Sequence, residues 1–510
     1  MNAKIRRQLA ARKRSIKKRL DKTRFDGQFP ILSASNIAYE IADKTRAISA
    51  GGIGIIHRMV KQFKLDQAIN RAVNLFKIYL PYAESDHVLN IAYNLLAGGT
   101  CLEHLELRRN DEVYLDALGA TRIPDPTTAG DFCRRFRWLE IERLMDVFNE
   151  TRLKVWQQQG PEFFEEAVVD ADGTMVETTG ECKGGMDINH KGQWGYHPLI
   201  VSLANTAEPL FIYNRRGNRP SHEGAAGYLD RAVQLCRRAG FRKITLRGDT
   251  DFTQTEHLDR WDEDGVQFVF GIDAMPNLYE LVENLPQKAW RRLRRRPKYE
   301  VRTQPRSRPQ NVKEKVVEQR EFENIRLVKE YVAEFDYSPT KCGKTYRVVV
   351  VWKDLEVKKG QRKLFDTERC FFYITNDWKR SATEIVIRAN GRCNQENTIE
   401  QHKNGVRSLT APVDNLVSNW AYMVMASLAW SLKAWAALLL PEEGRWKEKH
   451  KEEKRRLLTM DFATFRNAWI NVPAQIIRTS RRIVYRFLSW NPWQAAFFRL
   501  LDVLNKPLRC

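Results

Sequence analysis

Three acidic segments contain the residues in this sequence that are best suited to chemistry. Each segment holds two carboxylates that a regular element would place on one face, namely Asp170 and Asp172, Asp249 and Asp251, and Glu396 and Glu400. The first two pairs end apolar, strand-like runs, and the third lies in a predicted helix. Strand ends that lie side by side beneath a packed helix would bring three carboxylates together.

A cluster of three carboxylates is suited to holding two divalent cations. Two ions about 4 Å apart activate the attacking oxygen and stabilise the leaving oxygen in phosphoryl transfer. Mg²⁺ suits such a site because it accepts few carboxylates and keeps water and phosphate oxygens as its other ligands, and Mn²⁺ can replace it. The acidic segments therefore predict a two-metal site that acts on a phosphate ester.

Each acidic pair also has a purely structural interpretation. Asp172-Gly173 is a favoured pair for a tight hairpin turn, and Asp249 could accept hydrogen bonds from backbone amides before the next helix. Geometry alone leaves either member of each pair open as the chemically active one. The position of Asp172 at the predicted turn favours it over Asp170, which lies deeper in the strand.

The helix predicted around Glu396 has an unusual face. Read as one continuous helix, residues 385–403 place Ile385, Ala389, Arg392, Glu396 and Lys403 on a single stripe. Carboxylates on a core-facing stripe are costly unless they are paired or bound to metal. We therefore expect the stripe to begin by packing on a sheet and to end at the rim of an active site.

Composition points to a large globular protein with a polyanionic partner. The chain has 510 residues, 43% of them hydrophobic, and 85 Lys and Arg against 63 Asp and Glu give a net charge of +22. Such a charge favours nucleic acid over a membrane surface, although a merely basic soluble protein is the simpler alternative. The apolar run at residues 421–440 contains Lys433 and is better explained as a buried core helix than as a membrane span.

Neither the cysteines nor the N-terminus indicates secretion. The eight cysteines are scattered, without a CxxC pair or zinc-site spacing, as in a reduced cytosolic protein. The basic N-terminal segment lacks the apolar run of a signal peptide. The densest basic run consists of Arg291, Arg292, Arg294, Arg295 and Arg296. We expect this run to contact phosphate, because it adjoins the predicted cleft.

The order of predicted elements divides the chain into six parts and indicates an α/β fold. These are a basic arm (1–44), a helical DNA-binding region (45–160), the first part of an α/β core (161–285), a β-rich insertion (286–368), the second part of the core with the glutamate helix (369–411) and a helical C-terminal region (412–510).

At this point the motifs resemble those of a known family. Arg392, Glu396 and Lys403 have the R-x3-E-x6-K spacing of the YREK signature, with Ala389 where that signature has tyrosine. DGT at 172–174 and GDTDF at 248–252 resemble the first two acidic motifs. The sequence thus resembles the bacterial insertion-sequence transposases of the DDE type, in the group-1 branch.

The resemblance implies a specific fold and site. It implies an RNase H-like mixed sheet flanked by helices, with a β-rich insertion between the second and third acids. Asp172, Asp249 and Glu396 would be the catalytic residues and would hold two Mg²⁺ ions, and Arg392 and Lys403 would contact DNA phosphates. The expected location is the bacterial cytoplasm, at the nucleoid and without a membrane association.

The function implied is cut-and-paste transposition. The protein would bind the terminal inverted repeats of its own element, free a 3′-hydroxyl by hydrolysis and direct it at target DNA, as a homodimer or a larger synaptic complex. Two alternatives remain open: a nuclease of the same fold that stops at hydrolysis, and a DNA-binding repressor derived from a transposase.

Overall fold

The computed structural model describes residues 1–21, 32, 34–42, 44–76, 81–295, 312–359, 362–479 and 482–507, apart from the side chains of 362–367. The α-helices are α1 (Ala3–Asp21), α2 (Ile53–Gln62), α3 (Leu65–Ala72), α4 (Glu84–Leu96), α5 (Leu105–Arg109), α6 (Glu112–Leu118), α7 (Pro126–Arg134), α8 (Trp138–Trp156), α9 (Ala225–Ala239), α10 (Leu258–Glu263), α11 (Pro276–Glu283), α12 (Val312–Gln319), α13 (Ala382–Asn390), α14 (Cys393–Glu400), α15 (Leu416–Leu438), α16 (Lys447–Thr459), α17 (Phe462–Phe465) and α18 (Gln494–Leu504). The strands are β1 (Ala47–Ile48), β2 (Ala167–Gly173), β3 (Val176–Glu177), β4 (Asp187–Ile188), β5 (Trp194–Tyr196), β6 (Leu199–Leu203), β7 (Glu208–Tyr213), β8 (Ile244–Gly248), β9 (Gln267–Ile272), β10 (Arg291–Arg292), β11 (Glu323–Tyr337), β12 (Tyr346–Lys359), β13 (Arg362–Thr375), β14 (Ala474–Arg478) and β15 (Ile483–Phe487).

The chain forms two compact units, each built from separate stretches of sequence. The first comprises Met1–Phe163, Thr174–Arg219 and Asn397–Cys510, and the second comprises Phe164–Gly173 and Pro220–Glu396. The boundary after Glu396 falls inside α14. All three predicted catalytic acids therefore belong to the second unit.

The second unit is built around a mixed sheet. Its strands pair in the order β10-β11-β12-β13-β9-β8-β2, with β2, β8 and β9 parallel and the remainder antiparallel. Successive residues of β8 and β9 are buried without alternation, as is usual where helices cover both faces of parallel strands. Helix α9 packs against β2 and β8, and α13 packs against β9, β11 and β12. This arrangement confirms the predicted mixed sheet flanked by helices.

The predicted β-rich insertion is continuous with this sheet. Strand β13 pairs with β9 only through Phe372–Thr375, whereas β11, β12 and β13 pair with one another along nearly their whole length. The three strands therefore extend well past β9, and we call this extension, residues 323–330, 353–359 and 362–371, the ribbon.

The apolar part of the Glu396 stripe packs on the sheet, as predicted. Helix α13 contributes three side chains to a core with strand residues, which comprises Ile385, Val386, Ala389, Val269, Val332, Val349, Val351 and Leu293. Ser381 caps the start of this helix by accepting a hydrogen bond from the Glu384 amide. The apolar stripe is therefore buried in the first turns of the predicted helix.

The prediction of one continuous helix over 385–403 is wrong. Helix α13 ends at Asn390 and α14 begins at Cys393. The break falls at Asn390-Gly391, a pair that favours turns, and a Cβ atom on Gly391 would lie 2.4 Å from Nη1 of Arg247. Beyond α14 the chain widens into one π-helical turn at Gln401–Gly405, so the spacing of a regular helix does not extend to Lys403.

The first unit is largely helical and has α15 in its core. Helix α15 is the one helix of the described residues that is long and apolar enough to cross a membrane, and its apolar window is wholly buried in the protein. Helices α4, α7 and α8 and strand β7 pack around it. The predicted buried core helix is therefore confirmed.

The prediction of an entirely helical C-terminal region is wrong. Strands β14 and β15 form an antiparallel hairpin there, and β1 adds a third strand beside β14. The sequences AQIIR and IVYRF are short and rich in β-branched residues, a composition that favours strands over helix.

Candidate active site

The strand pairing of β2 and β8 brings two of the predicted acids to one edge of the sheet. The two strands are parallel, and Asp170 lies directly opposite Arg247. Asp172 and Asp249 each come two residues further along the chain. Parallel strands end at the same edge, so these two carboxylates are neighbours.

Arg392 lies among all three predicted catalytic acids. Its Nη1 atom is 3.5 Å from Oδ2 of Asp172 and 3.4 Å from Oδ2 of Asp249. Its Nη2 atom is 3.8 Å from Oε1 of Glu396, one helical turn later. The break between α13 and α14 places Arg392 just before the second helix, from where a single guanidinium reaches the three carboxylates.

Asp172 and Asp249 are partly buried, and their negative charges repel each other. Burial, followed by the nearby charge of Asp249, raises the pKa of Asp172 to about 7, and Arg392 opposes this shift. Burial also raises the pKa of Asp249, against the effect of Arg392. Glu396 differs from both because its side chain is 61% exposed. The site therefore has an excess of negative charge that cations relieve.

The other member of each acidic pair has a different environment. Asp170 is buried and forms a bidentate ion pair with Arg247, at 2.7 Å for both oxygens. Asp251 is exposed, and its backbone amide donates to Oδ1 of Asp249 at 3.1 Å. Glu400 is exposed in the first unit and accepts a hydrogen bond of 2.6 Å from Asn404. One acid from each pair, namely Asp172, Asp249 and Glu396, thus lies near Arg392, whereas Asp170, Asp251 and Glu400 have the different environments described above.

The donor set fits Mg²⁺ or Mn²⁺. Carboxylate oxygens are hard ligands of the kind that these ions prefer. Within the described ranges, no three His, Cys, Asp or Glu side chains converge closely enough to form a ready-made metal cluster. The guanidinium of Arg392 offsets part of the negative charge of the three acids in this arrangement.

A cavity of about 330 Å³ lies beside two of these residues. Asp249 and Arg392 form part of its wall, together with the aromatic side chains of Phe371 and Tyr373 and the amide side chain of Asn390. Polar and aromatic groups thus line one space next to the acids.

Lys403, the last residue of the predicted signature, lies in the first unit. It is half-buried on the π-helical turn, and burial lowers its pKa, an effect that Glu400 and Glu177 oppose. The preceding residue, His402, is fully buried and its Nδ1 atom lies 2.7 Å from Oγ of Ser408. The turn is therefore anchored by His402 rather than by Lys403.

The predicted basic run divides into residues with different partners. Arg291 and Arg292 are exposed and form β10, and Arg294 is also exposed. Arg295 instead makes a bidentate ion pair with the buried Glu330, at 2.7 and 2.8 Å. Arg296 lies outside the described residues. Arg295 is also exposed, but its guanidinium already pairs with Glu330, so Arg291, Arg292 and Arg294 are the members better placed to contact a phosphate.

The nearby tryptophans pack with each other. The ring centroids of Trp290 and Trp352 are 6.3 Å apart, and Tyr331 lies 5.4 Å from Trp352. The indole of Trp352 donates to Glu368 at 3.1 Å. These contacts agree with a packing role for the two tryptophans.

Sequence reasoning missed Arg247 as part of the site. It stands two residues before Asp249, and its partner Asp170 is 77 residues away in sequence. An arginine inside an otherwise apolar strand was the available signal, because a buried arginine requires a carboxylate partner.

Comparison with known proteins assigns the chain to a family. The family model described as transposase DDE domain, group 1, matches residues 30–508. No curated protein matches. A cryo-EM structure of the piggyBac transposase synaptic complex with hairpin DNA is similar at a TM-score of 0.36 and 11% identity, over 83% of this chain and 82% of that chain. Because the family match spans nearly the whole sequence, the chain belongs to the transposase DDE domain group 1 family.

Proposed function

We propose that this protein binds the terminal inverted repeats of its own insertion sequence and moves that element by cut-and-paste transposition. Family membership supports the general class, an enzyme that cleaves and transfers DNA. The observation that supports the chemistry is the grouping of Asp172, Asp249 and Glu396 around one guanidinium. These three residues would hold two Mg²⁺ ions, which when bound stabilise negative charge on the reacting phosphate oxygens.

Arg392 has two roles in this proposal. Without DNA its guanidinium offsets part of the charge of the carboxylates that surround it. With DNA bound, the same planar group can donate two parallel hydrogen bonds to a phosphate. Lys403 would contact a further phosphate, as the signature that it completes implies.

The nucleophiles come from solvent and from DNA rather than from the protein. Hydrolysis forms a bond from water to phosphorus and breaks the bond to O3′, which leaves as a hydroxyl after taking up a proton. In strand transfer that 3′-hydroxyl forms the bond to a target phosphate, and the target strand's own O3′ leaves. No covalent protein–DNA intermediate is needed.

DNA outside the reacting phosphate would meet basic residues beside the site. Arg291, Arg292 and Arg294 are exposed on the same unit as the acids and would contact the backbone. Recognition of the terminal repeats would depend mainly on the helical region at residues 45–160. Because two element ends react together, we infer a homodimer or larger synaptic complex.

The first prediction tests the three acids by amide substitution. Asp172→Asn, Asp249→Asn and Glu396→Gln should each abolish Mg²⁺-dependent cleavage of a duplex that carries the terminal repeat. The amide removes charge while nearly preserving shape, so repeat binding, measured by gel shift, should persist. Asp251→Asn and Glu400→Gln are the matched controls and should still cut.

The outcomes separate the candidate functions. Cleavage by all three amide variants would refute the assignment of the acids. Wild-type protein that cuts but never joins the 3′-hydroxyl to target DNA would be a nuclease, and protein that binds without cutting would be a repressor.

A further inference from the structure

Arg247 lies on the strand that precedes Asp249, and its side chain contacts the strand that carries Asp172 and the helix that precedes the one carrying Glu396. Its Nε and Nη2 atoms donate to Asp170 on β2 at 2.7 Å each, and its Nη1 atom donates to the carbonyl oxygen of Arg388 in α13 at 2.9 Å. Arg247 is on β8, and the residue is 93% buried. One planar group thus joins β2, β8 and the end of α13.

These attachment points stand at fixed and short distances in sequence from the acids. Asp170 precedes Asp172 by two residues, and Arg247 precedes Asp249 by two residues. The Arg388 carbonyl lies in the last turn of α13, four residues before Arg392. A shift of the guanidinium would therefore change the separation between the strand acids and the start of α14, where Arg392 immediately precedes the helix that carries Glu396.

Gly391 shows how closely the chain turns around this guanidinium. A Cβ atom at Gly391 would lie 2.4 Å from Nη1 of Arg247, well inside normal contact distance. The guanidinium could not simply retreat, because its other two donors hold Asp170. The turn between α13 and α14 therefore packs so closely on Arg247 that it leaves no room for a side chain at Gly391.

General stability is a weaker explanation for this arrangement. Buried ion pairs contribute little net stability compared with well-packed apolar residues. Helix α13 is already attached to the sheet by Ile385, Val386 and Ala389. The hydrogen bond from Arg247 adds a constraint at the end of the helix, where the direction of α14 is set.

We propose that Arg247 is a positioning residue for the reaction: it sets the separation between Asp172 and Asp249 on the strands and Arg392 and Glu396 on the helix. The inference rests on the proposed function, because it concerns the residues proposed to hold the metal ions. Residues that orient metal ligands typically change metal affinity or activity by roughly 10- to 100-fold when replaced.

Arg247→Lys is the direct test. Lysine can keep one bond to Asp170, but it cannot also reach the Arg388 carbonyl with a rigid fork. With Mn²⁺ alone as the probe, electron paramagnetic resonance on the full chain without DNA should show binding weakened by roughly 10- to 100-fold. The Mn²⁺ concentration for half-maximal cleavage should rise in parallel, while binding of the terminal repeat is unchanged.

Gly391→Ala tests the same constraint from the other side. The added methyl group should displace Nη1 and produce the same loss of Mn²⁺ affinity. In the double variant the lysine has no Nη1 to displace, so the two losses should not add. Additive losses would mean that the residues act independently and would overturn the inference.

Glu166→Gln is the matched control. Glu166 precedes β2 and pairs with the Arg388 side chain, including a 3.0 Å hydrogen bond, so it also links β2 to α13 but at the end remote from the acids. This variant should lower thermal stability and leave Mn²⁺ affinity unchanged. If Arg247→Lys behaved like Glu166→Gln, or if Gly391→Ala left Mn²⁺ affinity unchanged, Arg247 would be only structural.

The same experiment distinguishes failure of the proposed function from failure of the inference about Arg247. A wild-type protein that neither binds Mn²⁺ nor cuts terminal DNA would overturn the proposed function and this inference with it. A wild-type protein that does both, with an Arg247→Lys variant that equals it, would overturn the inference alone.

Discussion

The charge of Arg392 is shared among three carboxylates, and this sharing has a measurable consequence. Its guanidinium lies 3.4 to 3.8 Å from the nearest oxygens of Asp172, Asp249 and Glu396. A divalent cation and the guanidinium would compete for the same oxygens. Under the proposed function we therefore expect Arg392 to oppose metal binding in the protein alone and to support catalysis only when DNA phosphate can take up its hydrogen bonds.

Arg392→Ala should accordingly have opposite effects on two measurements. Affinity for Mn²⁺ without DNA, measured by calorimetric titration, should increase, because three carboxylates lose their cation. Cleavage of terminal DNA should decrease. Arg445→Ala removes the same charge from an exposed position outside the proposed DNA-binding residues and should change neither Mn²⁺ affinity nor cleavage at saturating DNA. Unchanged Mn²⁺ affinity in Arg392→Ala would contradict the competition.

At this scale the residue types and spacing selected the candidate acids, but not the residues that support them. The R-x3-E-x6-K spacing and the strand-ending aspartates selected residues that the structure brings around one guanidinium. The Asp170–Arg247 pair depends on the register of two strands far apart in sequence. No local pattern reports such a register, so this pair emerged only from the fold.

Among the elements, helix α15 carries an ionisable group in the core. Lys433 is fully buried, its Nζ atom donates to the Leu458 carbonyl at 3.0 Å, and it lies 3.8 Å from the ring centroid of Trp430. Burial lowers its pKa from 10.5 to about 7, with a small opposing effect of Asp461. Between these two values the unfolded chain holds a proton that the folded chain does not.

The stability of the protein should therefore rise with pH across that interval. Lys433 contributes a cost that is fully present below about pH 7 and disappears as pH rises towards the unfolded value of 10.5. Lys433→Met should unfold at a higher temperature than wild type near pH 7, and this advantage should shrink by pH 10. Lys447→Met, at an exposed position, is the control. A pH-independent difference would contradict the burial of the ammonium group.

At the contact between α8 and β7, removal of a buried charge should instead destabilise the protein. Arg152 and Glu208 form a fully buried ion pair at 2.9 Å, and the indoles of Trp156 and Trp435 donate to the same carboxylate at 3.1 and 2.8 Å. Glu208→Gln leaves the guanidinium without its charge partner and should cost about 3–5 kcal/mol in denaturant unfolding.

A double variant serves as the control for this pair. Arg152→Met combined with Glu208→Gln removes both charges and should regain most of the lost stability. A double variant as unstable as Glu208→Gln alone would show that the carboxylate acts through the tryptophans instead.

Predictions of secondary structure failed where contacts between residues far apart in sequence overrode the local sequence pattern. The apolar face of α13 was predictable because the helical period is local, and Ile385 and Ala389 are buried as expected. The break at Gly391 was not, because the closeness of Arg247 that requires glycine comes from another strand. The hairpin of β14 and β15 was hidden because five-residue strands give little periodic signal and β1, its third strand, lies more than 400 residues earlier.

At the scale of the whole molecule, net charge predicts how the proposed association with DNA should depend on salt. A charge of +22 together with the exposed arginines near β10 predicts many phosphate contacts. With about 6–10 such contacts, affinity for the terminal repeat should fall by about 10³–10⁵ between 50 and 200 mM salt. Fluorescence anisotropy over that range would measure the slope, and a flat response would contradict an extended phosphate-binding surface.

The number of residues in the ribbon sets how far it extends beyond β9. From Arg362 to Phe372, where pairing with β9 begins, β13 covers about 33 Å at the usual rise per residue, close to one turn of duplex DNA. Removing two residues from each of its three strands would keep the in–out alternation and shorten it by about 7 Å, the rise of two base pairs. Insertions and deletions of two residues per strand would therefore change the length of the ribbon in steps of about 7 Å without moving any of the three acids around Arg392.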